Sequence, residues 1–123
     1  MQTLRDAAFL FLAKAREELE QGLMQNNAVL IRDAAEKAWN AVVQATDHFM
    51  RSHGRAALPG RDAHRDRRDF LVGVGRRDLA EKYTFFAERL HGDVFYAGAI
   101  PPATELRQYM DEVDDYIRRT SSA

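Results

Sequence analysis

Four polar side chains in this chain carry residue types that acid–base chemistry uses. Glu36 and Asn40 are four residues apart, so on a helix they lie on one face. His91 and Tyr96 lie in a later segment that also has helical spacing. A carboxylate beside an imidazole favours the charged ring and fits the ring for general acid or base work. These four residues are therefore predicted to line a polar ligand-binding pocket, with no catalytic residue assigned.

The same residues also have structural interpretations. A stripe of Glu36 and Asn40, continued by Asp47 and Arg51, is typical of a solvated helix face, and an exposed Asp47–Arg51 pair contributes at most about half a kcal/mol. A half-buried His91 is typical of a residue that bridges two helices. Enzymatic action on a small molecule requires more: an abnormal titration of His91, and Glu36 within hydrogen-bond distance of it.

Other catalytic chemistries find little support in the sequence. The chain has no Cys, so it has no thiolate nucleophile and no thiolate metal site. Asp47 and His48 are adjacent, and neighbours on a helix point about 100° apart. Ser52 does not lie in a Gly-x-Ser-x-Gly turn. Neither a metal nor a cofactor is expected.

Charge is unevenly distributed along the chain. The net charge is −1, yet residues 51–77 contain eight Arg and three Asp, a local balance of +5. A basic segment is typical of nucleic-acid binding, and equally of a surface that meets an acidic patch on a second subunit. Because Asp62, Asp66 and Asp69 interleave with the arginines at helical spacing, local ion pairing is the favoured interpretation. The alternative nucleic-acid surface comprises Arg61, Arg65, Arg67, Arg68, Arg76 and Arg77.

The elements that must position these residues are all predicted helices. Apolar residues with 3,4 spacing run from Leu4 to Leu23, with Thr3 and Asp6 as a weak capping box. Gly22 and the pair Asn26-Asn27 are predicted to end this helix and to start the next. The second helix is predicted over about 28–53, a short one over 62–72, a long one from 78 to 94, and a last one through 106–117 after Pro101-Pro102.

Four longer helices, one short helix and short connections predict an all-α, up-and-down bundle. A length of 123 residues is that of one domain, 1–123, with residues 1–2 and 120–123 expected to fray. The chain has no apolar run long enough for a membrane span, and its N-terminus lacks the layout of a signal peptide. A cytoplasmic protein with no membrane association is therefore expected.

Apolar residues exceed what single helix faces of a bundle need. Phe9, Leu10 and Phe11 follow one another in the first helix, and Trp39 and the pair Phe85-Phe86 widen the apolar arcs of theirs. A helix with apolar residues on more than one face needs a second surface to cover them. A homo-oligomer, with a dimer as the first guess, is therefore expected, although a protein partner or coverage by a fifth helix remains an alternative.

Two segments resemble a known family as a pair. They are Ala35-Glu36-Lys37-Ala38-Trp39, followed by Ala41 and Ala45, and Leu90-His91 followed by Phe95-Tyr96. Together with a Gly-containing turn after the first helix, they resemble the PaREP-type proteins within the HEPN-like group of helical bundles. The resemblance spans roughly residues 15–117. It implies a bundle of four or five helices and no particular activity.

The wider HEPN-like group includes ribonucleases whose signature is Arg, four to six residues, then His. The windows that would hold this Arg are 41–43, 46–48, 57–59 and 84–86, and none contains Arg. The resemblance therefore does not extend to the ribonuclease motif. The leading hypothesis is a non-catalytic, self-associating binding module of HEPN-like type. The alternative is a nucleic-acid-linked role, either RNA binding or a divergent ribonuclease of a toxin system.

Overall fold

The computed structural model describes residues 3–56 and 60–122, apart from the side chains of Arg61 and Ser122. Every regular element in these ranges is a helix, which confirms the predicted all-α bundle. The elements are α1 Leu4–Gln25, α2 Ala28–Ser52, a 3₁₀ turn Gly60–Asp62, α3 Ala63–Gly73, α4 Arg77–Phe86, a π-helix Ala87–Tyr96 and α5 Ala103–Ser122. Since the π-helix continues α4 without a break, the bundle has four long helical units and the short α3.

The first two helices form a hairpin closed by local hydrogen bonds. Thr3 and Asp6 make the predicted reciprocal capping box at the start of α1. Asn26 adopts the left-handed conformation (φ 52°) that ends the helix, and the Asn27 side chain accepts from two backbone N–H groups that begin α2. The predicted role of Gly22 is wrong: it lies inside α1, where its missing side chain allows close packing. A Cβ there would lie 2.9 Å from an Ile31 side-chain carbon.

Contacts between helices confirm the up-and-down order. Arg16 and Glu20 of α1 pair with Asp111 and Arg107 of α5, at 3.0 and 2.9 Å. Glu18 of α1 pairs with Lys37 of α2 at 2.5 Å, and Gly22 lies against Ile31. Residue numbers thus rise in α1 while they fall in both partners. Both α2 and α5 therefore run antiparallel to α1, and for α2 the short connection to α1 requires this direction.

Small residues let α2 lie at the centre of the bundle. Its buried face is rich in alanine, which allows close approach of the neighbouring helices.

The core also contains a buried polar contact between α2 and α5: the hydroxyls of Thr46 and Tyr116 are 2.7 Å apart. Thr46 donates to the carbonyl of Val42, so the Tyr116 hydroxyl donates to Thr46. Burial raises the pKa of Tyr116 above its usual range.

Most of the apolar side chains that the sequence left without an assigned partner are covered by other parts of the same chain. Trp39 and Phe86 are buried, and Phe9 and Phe11 pack against the core. Arginine side chains from α1 and α5 lie over the ring of Phe9. Among these apolar residues, Leu10 is the one that stays exposed, at 53 %. The burial of these residues within one chain weakens the case for self-association that was made from their spacing.

Helix α5 is longer than the sequence indicated. It continues to Ser122, and Thr120 is buried with its hydroxyl bonded to the carbonyl of Ile117. Thr120, which was expected to fray, lies within this helix, and residues 1, 2 and 123 lie outside the described ranges. Among the helices described, none combines the length and apolar character needed to cross a membrane.

Candidate functional site

The π-helix sets the geometry of the candidate site. In a π-helix the backbone bonds connect residues five apart, so the turn is wider than in an α-helix. His91 consequently has both Phe95 (ring centroids 6.1 Å apart, stacked) and Tyr96 (4.9 Å, edge-on) beside it. In an α-helix, residues five apart would diverge by about 140°. The wide turn therefore builds an aromatic wall around His91.

Arg32 of α2 holds the end of this π-helix in place. Its guanidinium donates to the carbonyl of Phe95 through Nε (2.8 Å) and Nη2 (2.6 Å), and Nη2 also reaches the carbonyl of Tyr96 at 3.0 Å. The carbonyls at a helix end lack partners in their own helix, so a cation there satisfies them and complements the helix dipole. The helix that carries His91 is thereby fixed to α2.

Glu36 of α2 meets His91 directly. The carboxylate oxygen Oε1 lies 2.8 Å from Nδ1 of the ring, and both side chains are about one-quarter to one-third exposed, at 25 % and 32 %. An ionised carboxylate only accepts hydrogen bonds, so Nδ1 carries the proton. The other ring nitrogen of His91, Nε2, has no partner within the described part of the chain. In the neutral ring, Nε2 is then a free acceptor.

His64 of α3 lies on the other side of the site, in a chain of hydrogen bonds. Its Nδ1 is 2.8 Å from the hydroxyl of Tyr83 and 3.3 Å from Nη1 of Arg67. Arg67 also reaches the Tyr83 oxygen at 3.4 Å. Because a guanidinium only donates, the Tyr83 oxygen accepts from Arg67 and gives its own proton to His64. Nδ1 of His64 is therefore the acceptor, and Nε2 carries the ring proton.

The protonation equilibria agree with this assignment. Burial and the neighbouring charge of Arg67 lower the pKa of His64, which favours the neutral ring. Burial likewise raises the pKa of Tyr83, so its hydroxyl keeps the proton that it donates. Arg67 itself is anchored by Asp47 of α2, with Nε to Oδ1 at 2.7 Å and Nη2 to Oδ2 at 3.2 Å. This bidentate pair replaces the predicted Asp47–Arg51 pair, which is wrong.

Trp39 forms the floor beneath both histidines. This buried ring lies 5.5 Å from the His64 ring and 5.9 Å from the His91 ring, between centroids. The two imidazoles are themselves 6.4 Å apart. An aromatic floor fixes the positions of the rings while it leaves their outer edges to solvent. Two histidines with opposite proton placement thus lie side by side.

A groove of about 540 Å³ opens next to His64. Arg65 and Arg68 supply positive charge to its lining, Glu88 supplies negative charge, and Thr84 supplies a hydroxyl. The full lining comprises His64, Arg65, Arg68, Tyr83, Thr84, Ala87, Glu88 and Gly92. Arg65 is paired with Asp62 at 3.2 Å, and Arg68 has no carboxylate partner among the described residues. The groove is therefore suited to an anion.

Three of the four residues predicted to line the pocket meet here. Glu36 and Tyr96 both contact His91, and Tyr96 is 69 % exposed, but none of the three lines the groove beside His64. Asn40 lies one turn beyond Glu36 on α2, half-buried, and makes no hydrogen bond to them in the described structure. His64 and Tyr83 were not predicted as site residues from the sequence. The i,i+3 spacing of His64 and Arg67 was the only local signal, and Tyr83 matched the apolar face of its helix.

The arginines of the alternative nucleic-acid surface are divided by the fold. Arg67 is buried against Asp47, and Arg76 makes a bidentate pair with Asp78. Arg68 and Arg77 are exposed without a carboxylate partner in the described ranges, whereas the side chain of Arg61 lies outside them. The predicted local ion pairing is thus present in this segment, and no continuous row of free cations forms in the part of the chain that is described.

One pair of residues has a spacing that is typical of metal ligands on a helix. Glu88 and His91 are three residues apart, a spacing found at metal sites in helical bundles. Within the described residues, however, no group of three His, Asp or Glu side chains converges as a metal site would require.

The fold and the site together define a class: an all-α bundle with a polar, histidine-containing groove. Comparison with protein-family models, with curated proteins and with solved structures returns no match. The geometry of the site is therefore what indicates its chemistry.

Proposed function

We propose that this chain is a helical binding module whose groove beside His64 and His91 takes a small anionic ligand. Arg68 is the observation that carries the proposal, because its positive charge lines a concave groove without a carboxylate partner in the described structure. His64 adds a hydrogen-bond donor beside it. A cation that is unpaired in a concave site is a ready partner for a carboxylate or a phosphoryl group.

The charge of the groove favours a small ligand over RNA. Binding of a nucleic-acid strand needs several free cations along a track, because each phosphate contact adds to the affinity and to its salt dependence. Ion pairs with Asp47, Asp62 and Asp78 occupy three of the arginines that would form such a track. RNA binding, or a divergent ribonuclease, is therefore the second candidate, supported by the exposed Arg68 and Arg77.

Self-association, the HEPN-like or PaREP-type relationship and a cytoplasmic location are further parts of the proposal. Self-association is supported by Leu10, Met24 and Val29, which are 53 %, 82 % and 64 % exposed. Leu10 and Met24 fall on one side of α1, and Val29 follows in the first turn of α2. The HEPN-like relationship is supported by the bundle of five helices together with the two resembling segments around Trp39 and His91.

The test of anion binding compares two arginines of equal charge. Acetate, sulfate and inorganic phosphate are titrated into the ¹⁵N-labelled protein, and amide shifts are followed for the wild type and for Arg68→Gln and Arg77→Gln. Loss of one charged hydrogen bond weakens binding about tenfold. We expect this loss for Arg68→Gln and no change for Arg77→Gln, since Arg77 does not line the groove.

Two results would contradict the proposal. Absence of saturable shifts with all three anions would exclude an anion site, and equal weakening by the two variants would indicate nonspecific attraction. Light scattering with and without a mixed RNA pool, at low and high salt, tests the rest. A dimer that is stable in high salt and ignores RNA supports the module, and an RNA-bound species that dissociates as salt rises favours the second candidate.

A further inference from the structure

We propose that the groove beside His64 takes a zwitterion, a ligand with a carboxylate at one end and an ammonium group at the other. Arg68 binds the carboxylate, and Glu88 binds the ammonium group. This inference rests on the proposed anion site and names the class of ligand that it takes. Two opposite charges that line one groove, each without a partner in the described chain, support it.

The groove lies between two helical elements. Its first wall belongs to α3 and presents Arg68, with His64 and Arg65 on the same element. Its second wall belongs to α4 and to the π-helix that continues α4, and it presents the hydroxyl of Thr84 and the carboxylate of Glu88. A cationic wall and a wall that carries a carboxylate thus enclose the same space.

Arg68 and Glu88 stay unpaired although they line the same groove. Within the described ranges, Arg68 makes no ion pair with a carboxylate, and Glu88 makes none with a cation. They do not pair with each other either, so the gap between them is wider than a direct ion pair. By contrast, Arg65 on the same lining is neutralised by Asp62 at 3.2 Å. Two opposite charges therefore remain open to a ligand.

The open charges of the groove balance each other. His64 adds a polar edge without a charge, because burial and the neighbouring Arg67 lower its pKa and favour the neutral ring. A simple anion would satisfy Arg68 but would bring a second negative charge toward Glu88, and a simple cation would meet the reverse problem at Arg68. A ligand of zero net charge with separated charged ends is complementary to both walls.

Small residues leave room in the groove for the body of such a ligand. Ala87 and Gly92 belong to its lining, and its volume is about 540 Å³. A Cβ added at Gly92 would have the carbonyl oxygen of Ala87 as its nearest neighbour, at 3.5 Å, which is an ordinary contact. The space beside Gly92 can therefore hold the methylene groups that connect the charged ends of a ligand.

The experiment compares amino acids with the carboxylic acids that lack their ammonium group. Glycine, 4-aminobutyrate and 6-aminohexanoate are titrated into the ¹⁵N-labelled protein at pH 7.5 and constant ionic strength, beside acetate, butyrate and hexanoate. We expect at least one amino acid to bind about three- to tenfold more tightly than the acid of the same length, as one added charged contact at a partly exposed site allows. The length that binds best measures the gap between Arg68 and Glu88.

Neutral variants assign the two ends of the ligand. Glu88→Gln should weaken binding of the preferred amino acid about three- to tenfold, whereas its acid should bind as before or slightly more tightly, because a like charge is removed. Arg68→Gln should weaken both. Glu81→Gln is the matched control and should change neither, because Glu81 is exposed on α4 and does not line this groove. A purely structural role of Glu88 would instead lower both affinities by the same factor.

The outcomes separate this inference from the proposed function. If no amino acid binds more tightly than its acid, while acetate still binds and Arg68→Gln weakens it, the zwitterion is refuted and the anion site stands. If no anion and no amino acid gives saturable shifts, both proposals fail. A preference for an amino acid that Glu88→Gln leaves unchanged would refute the role of Glu88.

Discussion

Asp47→Asn offers the sharpest test of how the site is held together. Arg67 is 10 % exposed in its side chain and its charge is balanced by Asp47, which is 21 % exposed. The substitution keeps the size of the side chain and one oxygen acceptor but removes the negative charge. Arg67 would then remain largely buried without a counter-charge, next to Tyr83 and His64.

The magnitude follows from burial and geometry. Removing one partner of a fully buried ion pair costs about 3–5 kcal/mol, because the remaining charge is left desolvated. Here both side chains keep some solvent and Asn still accepts a hydrogen bond, so we expect the free energy of unfolding to fall by about 2–3 kcal/mol. In a chain of this length the melting temperature should fall by about 8–12 °C.

The assay is urea unfolding followed by circular dichroism, with Asp115→Asn as the matched control. Asp115 pairs with Arg119 at 3.2 Å on α5, and it is 66 % exposed. Exposed pairs of this type contribute about 0.3–0.5 kcal/mol. If Asp47→Asn were no more destabilising than Asp115→Asn, the argument that burial makes the Arg67 pair a structural support of the site would be refuted.

Three further predictions test the fold and the electrostatics. Gly22→Ala should lower the free energy of unfolding by about 1–3 kcal/mol, because its Cβ would meet the facing isoleucine at 2.9 Å, whereas Gly73→Ala, with open space around it, should change it by less than about 0.5 kcal/mol; equal effects would contradict the close approach. Thr46→Val should destabilise by about 1–3 kcal/mol and by more than Tyr116→Phe, since only the former leaves a buried hydroxyl without an acceptor; the reverse order in thermal melts would refute the assigned direction. Because the pKa of His64 is lowered in the folded protein, the unfolded chain binds a proton at this residue more readily. The stability that neutral His64 contributes is full above about pH 6.5 and is lost as the pH falls through the lowered pKa. The free energy of unfolding should therefore fall less between pH 7.5 and 5.5 in His64→Gln than in the wild type, and an equal fall in both would contradict the prediction.

Local patterns were sufficient for most of the helix boundaries. The capping box at Thr3, the asparagines between α1 and α2 and the apolar spacing of each helix depend on interactions within a few residues, which a sequence reveals directly. Gly22 is the exception. A glycine ends a helix or permits close packing, and only the position of α2 decides which of the two applies.

The candidate site was only partly predictable, for a physical reason. Glu36 and His91 were identified because polar residues stand out among small and apolar neighbours, and the structure brings their side chains within hydrogen-bond distance. His64 and Arg67 of α3 form hydrogen bonds with Tyr83 of α4. From local spacing alone, α3 resembles an ion-paired surface helix, and Tyr83 belongs to the apolar face of α4. Sequence periodicity cannot distinguish such surface or core positions from residues that form hydrogen bonds between helices.

The sequence by itself determined the helical class and the order of the helices, because these depend on a spacing of 3.6 residues and on caps. Tertiary structure alone decided that Asp47 pairs with Arg67 rather than with Arg51, since a buried charge takes the partner that packing brings to it. It also decided the wide π turn at His91, which no local propensity specifies. The opposite proton placement in the two imidazoles follows from those packed partners.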